Sequence, residues 1–154
     1  MVGNPHTGMG AVLQRGDGQS PENFVSILGI KSISGPSMSR DTHDTTDMNG
    51  GTYRTFVGGL VDAGEISFEA NFLPRDPTQG QEDGGWMGEF DKSSCDSVRN
   101  WRLLFPECDG EDEGYLEFQG VVTGQNMEFP MDDLMSFTGT LKVSGQPHMV
   151  ITTA

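Results

Sequence analysis

The sequence has few basic residues, few cysteines and no long apolar run. Its nine lysines and arginines stand against 23 aspartates and glutamates, a formal net charge of −14 at pH 7. Because a nucleic-acid grip relies on lysine and arginine displacing counterions, this balance disfavours stable nucleic-acid binding. The same acidic charge is compatible with a channel through which nucleic acid passes without binding. No stretch approaches the roughly 18 apolar residues of a membrane-spanning helix, so we expect no membrane partner.

The two cysteines give no sign of a disulfide framework or a metal site. Cys95 and Cys108 are 13 positions apart, without CxxC spacing or clustered histidines. The N-terminus has no basic stretch followed by an apolar one, so no secretory leader is predicted. We therefore expect free thiols in a reduced, intracellular setting. Cys95 has no base nearby in the sequence and is interpreted as a small structural residue rather than a nucleophile.

Glycine is abundant instead, at 22 of 154 residues, while only 21% of the residues are charged. This composition favours turns and strands over long helices. Hydrophobic residues make up 34% of the chain, enough for one modest core. We therefore expect a single domain over residues 1–154.

Alternation of apolar and polar residues predicts strands along much of the chain. The predicted strands are Asn23–Ser34, Tyr53–Val57, Gly64–Phe72, Trp101–Phe105, Leu116–Thr123 and Phe137–Ser144, with a brief one within Met9–Leu13. A bend is predicted at Gly58–Gly59, and the one predicted helix is Trp86–Ser94. These elements predict a mainly-β fold, a β-sandwich or partly closed barrel with one short flanking α-helix.

Three segments have no obvious place in such a core. They are the glycine-rich residues 1–20, interpreted as a flexible N-terminal arm, the polar segment Gly35–Gly51 and the C-terminal HMVITTA. Structureless loops longer than about 12–15 residues are uncommon in compact domains and are usually functional or disordered. Long strands with unpaired edges are templates for assembly. Both features point away from a self-contained monomer.

No residue set predicts catalysis, cofactor binding or a metal site. His43 has only His6 and His148 as conceivable partners, and none of the three shows metal-ligand spacing. The acidic stretch Glu107–Glu113 lacks the order of a calcium loop and is interpreted as an exposed hairpin tip. Gly8–Gly18 lacks the GxxxxGK pattern of a phosphate cradle. We therefore expect a non-enzymatic protein without cofactors.

The chain from about Gly29 to Pro147 resembles the tail tube protein of long, non-contractile phage tails. The resemblance is carried, in order, by ILGIKSISGPSMSRDTHDTTDMN, YRTFVGGLVDAGEISFEANF, WRLLFP and YLEFQGVVTGQNMEFPMDDLMSFTGTLKVSGQP. Its most specific pieces are Ile33–Pro36, Gly59–Glu65 and Phe137–Gly145. None of them is a catalytic signature.

The resemblance implies a structural protein of the virion tail, assembled in the host cytoplasm. Its fold would be shared with contractile-tail and type VI secretion tube proteins. Hexameric rings would join their sheets into one continuous inner β-barrel and stack helically around the tape measure protein, between terminator and initiator proteins. Double-stranded DNA would pass through the lumen without specific binding. Longer relatives carry a C-terminal immunoglobulin-like domain, whereas this sequence stops just after Ile151, so we expect no decoration role.

Two sets of residues are predicted to serve this assembly. The 35–51 loop and the N-terminal arm are expected to contact the adjacent ring, becoming ordered on assembly. The predicted inter-ring residues are Pro36, Met38, Arg40, Asp41, His43, Asp44, Asp47 and Met48. The candidate lumen acids, which would repel DNA, are Glu65, Glu69, Glu117 and Glu128. Alternatively, these acids lie on the outer surface and serve solubility.

Two other functions remain open at the level of sequence. One is a tube subunit or effector carrier of a type VI secretion system, which shares the implied fold. The other is a small soluble binding domain whose long loops hold a ligand. A continuous tube, isolated rings or a strict monomer would distinguish the three.

Overall fold

The computed structural model describes residues 5–82 and 84–152, and within these ranges it is built almost entirely from strands. The strands are β1 (Val12–Gly16), β2 (Phe24–Ser26), β3 (Ile30–Ser34), β4 (Ser39–Asp44), β5 (Phe56–Asp62), β6 (Glu65–Asn71), β7 (Arg99–Leu104), β8 (Tyr115–Glu128) and β9 (Ser136–Val150). Two 3-10 segments, Met87–Asp91 and Ser94–Asp96, are the helical elements of the described chain. The mainly-β prediction is confirmed.

Seven strands form one antiparallel sheet in the order β2-β1-β7-β8-β9-β6-β3, and β4 and β5 form a separate hairpin. β2 and β3 are the edges of the sheet, yet only Ile27–Gly29 connects them. Because this link spans at most about 14 Å, the sheet must curl until its edges approach each other. No strand pairing joins the two edges among the described residues, so the sheet is not closed into a barrel.

The side chain of Gln79 holds the segment between β2 and β3 in place. Its amide nitrogen donates to the carbonyls of Leu28 at 2.7 Å and Asn71 at 2.9 Å, while its oxygen accepts from the amide of Leu73 at 2.8 Å. Gln79 is only 2% exposed, so these bonds satisfy a buried amide group and tie the link between β2 and β3 to the end of β6.

The core lies inside the curl and is centred on aromatic side chains. Phe68 meets the rings of Trp86 and Phe137 edge-on, with centroids 4.7 and 5.6 Å apart, and Trp86 meets Trp101 at 5.6 Å. All four rings are at most 2% exposed. Gly139 makes this packing possible, because a Cβ there would lie 2.6 Å from Phe68 and 2.7 Å from Trp86.

The predicted α-helix at Trp86–Ser94 is wrong in type. The segment forms the 3-10 segments Met87–Asp91 and Ser94–Asp96. It follows Gly84 and Gly85 and contains Gly88, and glycine disfavours helix by about 1 kcal/mol relative to alanine. Glu89 is instead fixed by tertiary contacts: its carboxylate forms ion pairs with Arg15 and, at 3.3 Å, with Arg99.

The strands predicted at Gly64–Phe72, Leu116–Thr123 and Phe137–Ser144 are confirmed as β6, β8 and β9, and Trp101–Phe105 is confirmed within one or two residues as β7. Asn23–Ser34 is not one strand: Gly29, with φ +82°, separates β2 from β3 on opposite edges. The strand predicted at Tyr53–Val57 instead spans Phe56–Asp62, as β5. The bend predicted at Gly58–Gly59 is wrong, because both residues lie within that strand.

All three segments that had no obvious place in the core contribute to strands. The C-terminal one supplies the end of β9, His148–Val150, and its residues 153–154 lie outside the described residues. Within the predicted flexible arm, β1 pairs with both β2 and β7, and Leu13 is fully buried. Residues 1–4 of that arm lie outside the described residues. Within Gly35–Gly51, β4 pairs with β5, so the predicted long loop is one arm of a hairpin and its turn.

Candidate assembly surfaces

The β4–β5 hairpin is exposed on both of its faces. Every residue of β4 is exposed, and Gly59 is the one residue of β5 that is partly covered. A two-stranded hairpin is marginally stable in water unless it packs against something else. The single chain therefore leaves both faces of this strand pair open to solvent.

The predicted inter-ring residues all lie on this hairpin or its approach. Pro36 and Met38 lead into β4, Asp47 and Met48 lie in the turn, and the strand itself carries Arg40, Asp41, His43 and Asp44. Reasoning from the sequence missed the apolar side chains of the second strand. Leu60 is 85% exposed, and Phe56, Val57 and Val61 are about half exposed. The apolar residues of FVGGLV, which pair with a wholly polar strand, were the sequence feature that could have indicated this surface.

Local hydrogen bonds shape the tip of the hairpin. The carboxylate of Asp44 accepts the amide of Thr46 at 2.8 Å, and Thr46 in turn accepts the amide of Thr55 at 2.8 Å. The hydroxyls of Thr45 and Thr55 lie 2.9 Å apart. Hydrogen bonds from the Thr46 side chain and backbone lower the pKa of Asp44. The polar residues of the turn thus shape it through contacts within the hairpin itself.

The base of the hairpin is fixed to the sheet. The carboxylate of Asp62 accepts the amide of Gly64 at 2.8 Å and lies 3.3 Å from Nζ of Lys142 on β9. These two contacts, that of Gly64 first, lower the pKa of Asp62. Gly35 and Gly64 have φ of +110° and +77°, and a Cβ on Gly64 would collide with the carbonyl of Ser37. The two connecting segments therefore cross in close contact and set the direction of the hairpin.

The four candidate lumen acids lie on one face of the large sheet. Residues opposite each other in an antiparallel pair share a face. Glu65 is opposite Lys142 and Glu69 is opposite Thr138, while the next pair, Ile66 and Leu141, is buried on the other face. The register of β8 places Glu117 opposite Arg102 and Glu128 opposite Ser136, on that same face. The structure thus brings together all four acids.

That face is nearly balanced in charge. Nζ of Lys31 lies 3.8 Å from Glu69, and a guanidinium nitrogen of Arg102 lies 4.0 Å from Glu117. The Arg102 guanidinium is held between two rings, 3.9 Å from the centroid of Phe24 and 4.5 Å from that of Tyr115. Hence most of the net charge of the chain comes from its turns.

The most acidic turn joins β7 to β8. It carries five acids between Glu107 and Glu113. Burial and the nearby carboxylates of Asp109, Glu113 and Glu111 raise the pKa of the Cys108 thiol. Cys95 and Cys108 are both free thiols. Across residues 5–82 and 84–152, no group of three or more His, Cys, Asp or Glu side chains is arranged to hold a metal. In the same part of the chain, no helix has the length and apolarity to cross a membrane.

Comparison with known proteins identifies the family. The family model of the lambda phage tail tube protein matches residues 12–150, from the first residue of β1 to the last of β9. This chain belongs to the lambda phage tail tube protein family. It is therefore a structural component of a virion tail rather than an enzyme. The resemblance stated from the sequence is confirmed.

Similar proteins agree with this assignment. "Structural protein 3" of Pseudomonas phage PAJU2 is 28% identical over 135 residues, covering 79% of each chain. The tail of an empty gene transfer agent particle has a similar fold, with a TM-score of 0.67 and 16% identity over 95% of this chain and 99% of that one. The SPP1 tail tube gives a TM-score of 0.65 and 9% identity over 96% and 81%. At these identities the solved structures show a shared fold.

The same fold also occurs in contractile systems. The sheath-tube complex of an extracellular contractile injection system matches with a TM-score of 0.73 and 15% identity, over 98% of this chain and 95% of that chain. The tail tube fold is thus common to phage tails and to injection devices.

Proposed function

We propose that this tail tube protein forms hexameric rings that stack helically into a hollow tube around the tape measure protein. Terminator and initiator proteins lie at the two ends of the tube. The tube is assembled in the host cytoplasm and conducts double-stranded DNA into the host on ejection. The observation that carries the proposal is the β4–β5 hairpin, held firmly at its base and exposed on both faces. A related tail, that of the gene transfer agent particle, was determined with C6 symmetry.

Ring formation follows from the open edges of the large sheet. β2 and β3 each leave one row of backbone amides and carbonyls unpaired. Such edges template the addition of further strands unless they are covered. Joining copies in a ring through a heterologous interface covers both edges and closes the inner barrel that a single chain leaves open.

Stacking of the rings uses the hairpin. Its polar strand carries the inter-ring residues predicted from the sequence, from Pro36 to Met48, and its second strand adds Phe56, Val57, Leu60 and Val61. In the assembled tube these side chains are buried against the adjacent ring. The polar sheet face that carries Glu65, Glu69, Glu117 and Glu128 lines the lumen, because the opposite face is already occupied by the core.

Removing the hairpin tests the proposal. Because Ser39 and Asp62 are cross-strand partners, residues 40–61 can be replaced by two glycines while the contact between Asp62 and Lys142 is kept. The shortened chain should fold, as judged by circular dichroism, and form no tubes in negative-stain electron microscopy. Tubes of normal length would contradict the proposed role of the hairpin.

A tube subunit of a contractile injection system is the second candidate. The fold similarity to the contractile sheath-tube complex favours it. A sheath binds the outer surface of such a tube, so the two candidates differ in whether purified tubes recruit a sheath protein.

A further inference from the structure

We propose that the loop joining β8 to β9, Phe129–Met135, is the docking site for the β4–β5 hairpin of a second copy in the next ring. This inference rests on the proposed function. It adds the surface of the neighbouring copy that the hairpin contacts. The loop reads FPMDDLM. It combines exposed apolar side chains with two carboxylates.

The loop and the hairpin lie at opposite ends of the same strand. The hairpin returns to the sheet just before Glu65, the first residue of β6. At the other end of β6, Asn71 pairs with Ser136, which pairs with Glu128, and the loop connects those two residues. Six residue steps along a strand are about 20 Å. Stacking copies head to tail therefore brings the hairpin of one copy to the loop of the next.

The loop exposes an apolar surface that its own chain leaves uncovered. Met131 is fully exposed, and Phe129 and Leu134 are 63% and 68% exposed. Its inner side is nevertheless anchored. The Phe129 ring lies edge-on to Phe72 at 6.1 Å, and the amide of Phe72 donates to the carbonyl of Met135 at 2.9 Å. An anchored loop that exposes several large apolar side chains is a candidate interaction site.

One base on the hairpin can meet the acids of the loop. The loop has Asp132 and Asp133 and no basic residue. The hairpin presents Arg54 at its tip, with a side chain 78% exposed and a long ion pair of 4.0 Å to Asp44. Asp133 accepts the amide of Leu134 at 2.7 Å, and we assign Asp132 as the partner for Arg54. Opposite charges at the rim of an apolar contact fix its register.

A second copy is the occupant for a geometric reason. Each chain carries both surfaces, and their placement at opposite ends prevents them from meeting within one chain. A contact between different surfaces of identical chains propagates instead of closing into a dimer. Contact between two hairpins would produce closed dimers of rings, and a foreign partner for the loop would leave assembly independent of it.

Charge reversal in purified protein tests the pairing. Arg54→Glu alone and Asp132→Arg alone should each raise the protein concentration needed for tube formation about tenfold, measured by pelleting and electron microscopy at low salt. Combining the two substitutions should restore assembly to near the wild-type concentration. The mismatched pair, Arg54→Glu with Glu82→Arg, has the same net charge as the matched pair and should not restore it. All three positions are exposed, so circular dichroism should show an unchanged fold.

The outcomes separate this inference from the proposed function. If wild-type protein forms tubes but the matched pair assembles no better than the mismatched pair, the docking site is wrong and the tube remains. Normal assembly of both single variants overturns the docking site as well. If wild-type protein forms no tubes under any condition, the proposed function fails and the inference fails with it.

Discussion

Nζ of Lys142, in the middle of the last strand, lies 3.3 Å from the carboxylate of Asp62 at the base of the exposed hairpin. The same carboxylate accepts the amide of Gly64. One acidic side chain therefore joins the hairpin to the large sheet. This contact fixes the base of the hairpin relative to β9, the strand between β8 and β6.

The titration of Asp62 reports this contact. Its pKa is lowered below the ordinary value of 3.8 by the Gly64 amide first and by Lys142 second. Because the folded pKa is the lower one, the contact contributes stability above the ordinary pKa and loses it as the pH falls through the lowered pKa. In Lys142→Met, the pKa of Asp62 should rise part of the way towards 3.8, as measured by NMR titration of the carboxyl carbon. An unchanged pKa in the variant would show that Lys142 does not hold the carboxylate.

Glu89 holds the 3-10 segment against the sheet. Its side chain is 1% exposed and lies between Arg15 and Arg99. Burial alone would lower the pKa of Arg99, but Asp96 and Glu89 outweigh it and raise the pKa. Replacing Glu89 by glutamine removes the ion pair of the largely buried Arg15 and leaves Arg99 with Asp96 alone, which should lower the free energy of unfolding by roughly 3 kcal/mol in urea denaturation.

The matched control for that experiment is an exposed acid in the same region. Glu82→Gln removes a carboxylate on the surface, and its effect should stay within about 0.5 kcal/mol. A loss below about 1 kcal/mol in Glu89→Gln would mean that the ion pairs do not anchor the segment.

Gly139 tests the aromatic packing of the core. A methyl group there would overlap the rings of Phe68 and Trp86, so Gly139→Ala should destabilise the fold by about 1–3 kcal/mol. Gly124 is the matched control, because its Cβ would lie 3.6 Å from the nearest atom, on Thr140. Thermal or urea denaturation of the two variants measures the difference. Equal stabilities would contradict the tight packing described for the core.

Much of the fold follows from alternation, and the rest depends on contacts distant in sequence. β6, β8 and β9 were predictable because one face of each is buried, as at Ile66, Phe118 and Leu141. The hairpin was not predictable in this way, since neither of its faces is buried in one chain. Alternation records burial, so a strand pair with no buried face gives no alternating pattern.

The two predicted sets of site residues differ in how much of each surface the sequence identified. The inter-ring set covered β4, its approach and the turn, because that segment is long and polar, and it did not include the apolar residues of β5 such as Leu60. The four candidate lumen acids share one face of the sheet, and their place in a lumen is part of the proposed function. Their pairing with Lys31 and Arg102 depends on strand order, which the sequence does not contain.

Reversing the charge of the proposed lumen face tests its role. Glu65, Glu69, Glu117 and Glu128 share this face with three bases, Lys31, Arg102 and Lys142, which leaves one net negative charge among these side chains. Replacing the four acids by lysine would make it strongly positive and attract DNA phosphates. Tubes should still form in phage particles that carry the variant, and DNA ejection should slow, most strongly at low salt.

The control places the same charge change outside the lumen face. Lysine at Glu107, Asp109, Glu111 and Glu113 alters the turn between β7 and β8 by an equal charge. Ejection should then keep its normal rate, as followed by a DNA-binding dye after receptor addition. Equal rates for both fourfold variants would place the four acids of the sheet outside the lumen.

The most direct measurement of the central claim is a helical reconstruction of tubes assembled from purified protein. The account predicts stacked hexameric rings, with the polar face of the sheet towards the lumen and each β4–β5 hairpin buried against a subunit of the adjacent ring. A protein that stays monomeric at all concentrations, or a tube in which the hairpin contacts no neighbouring ring, would contradict it.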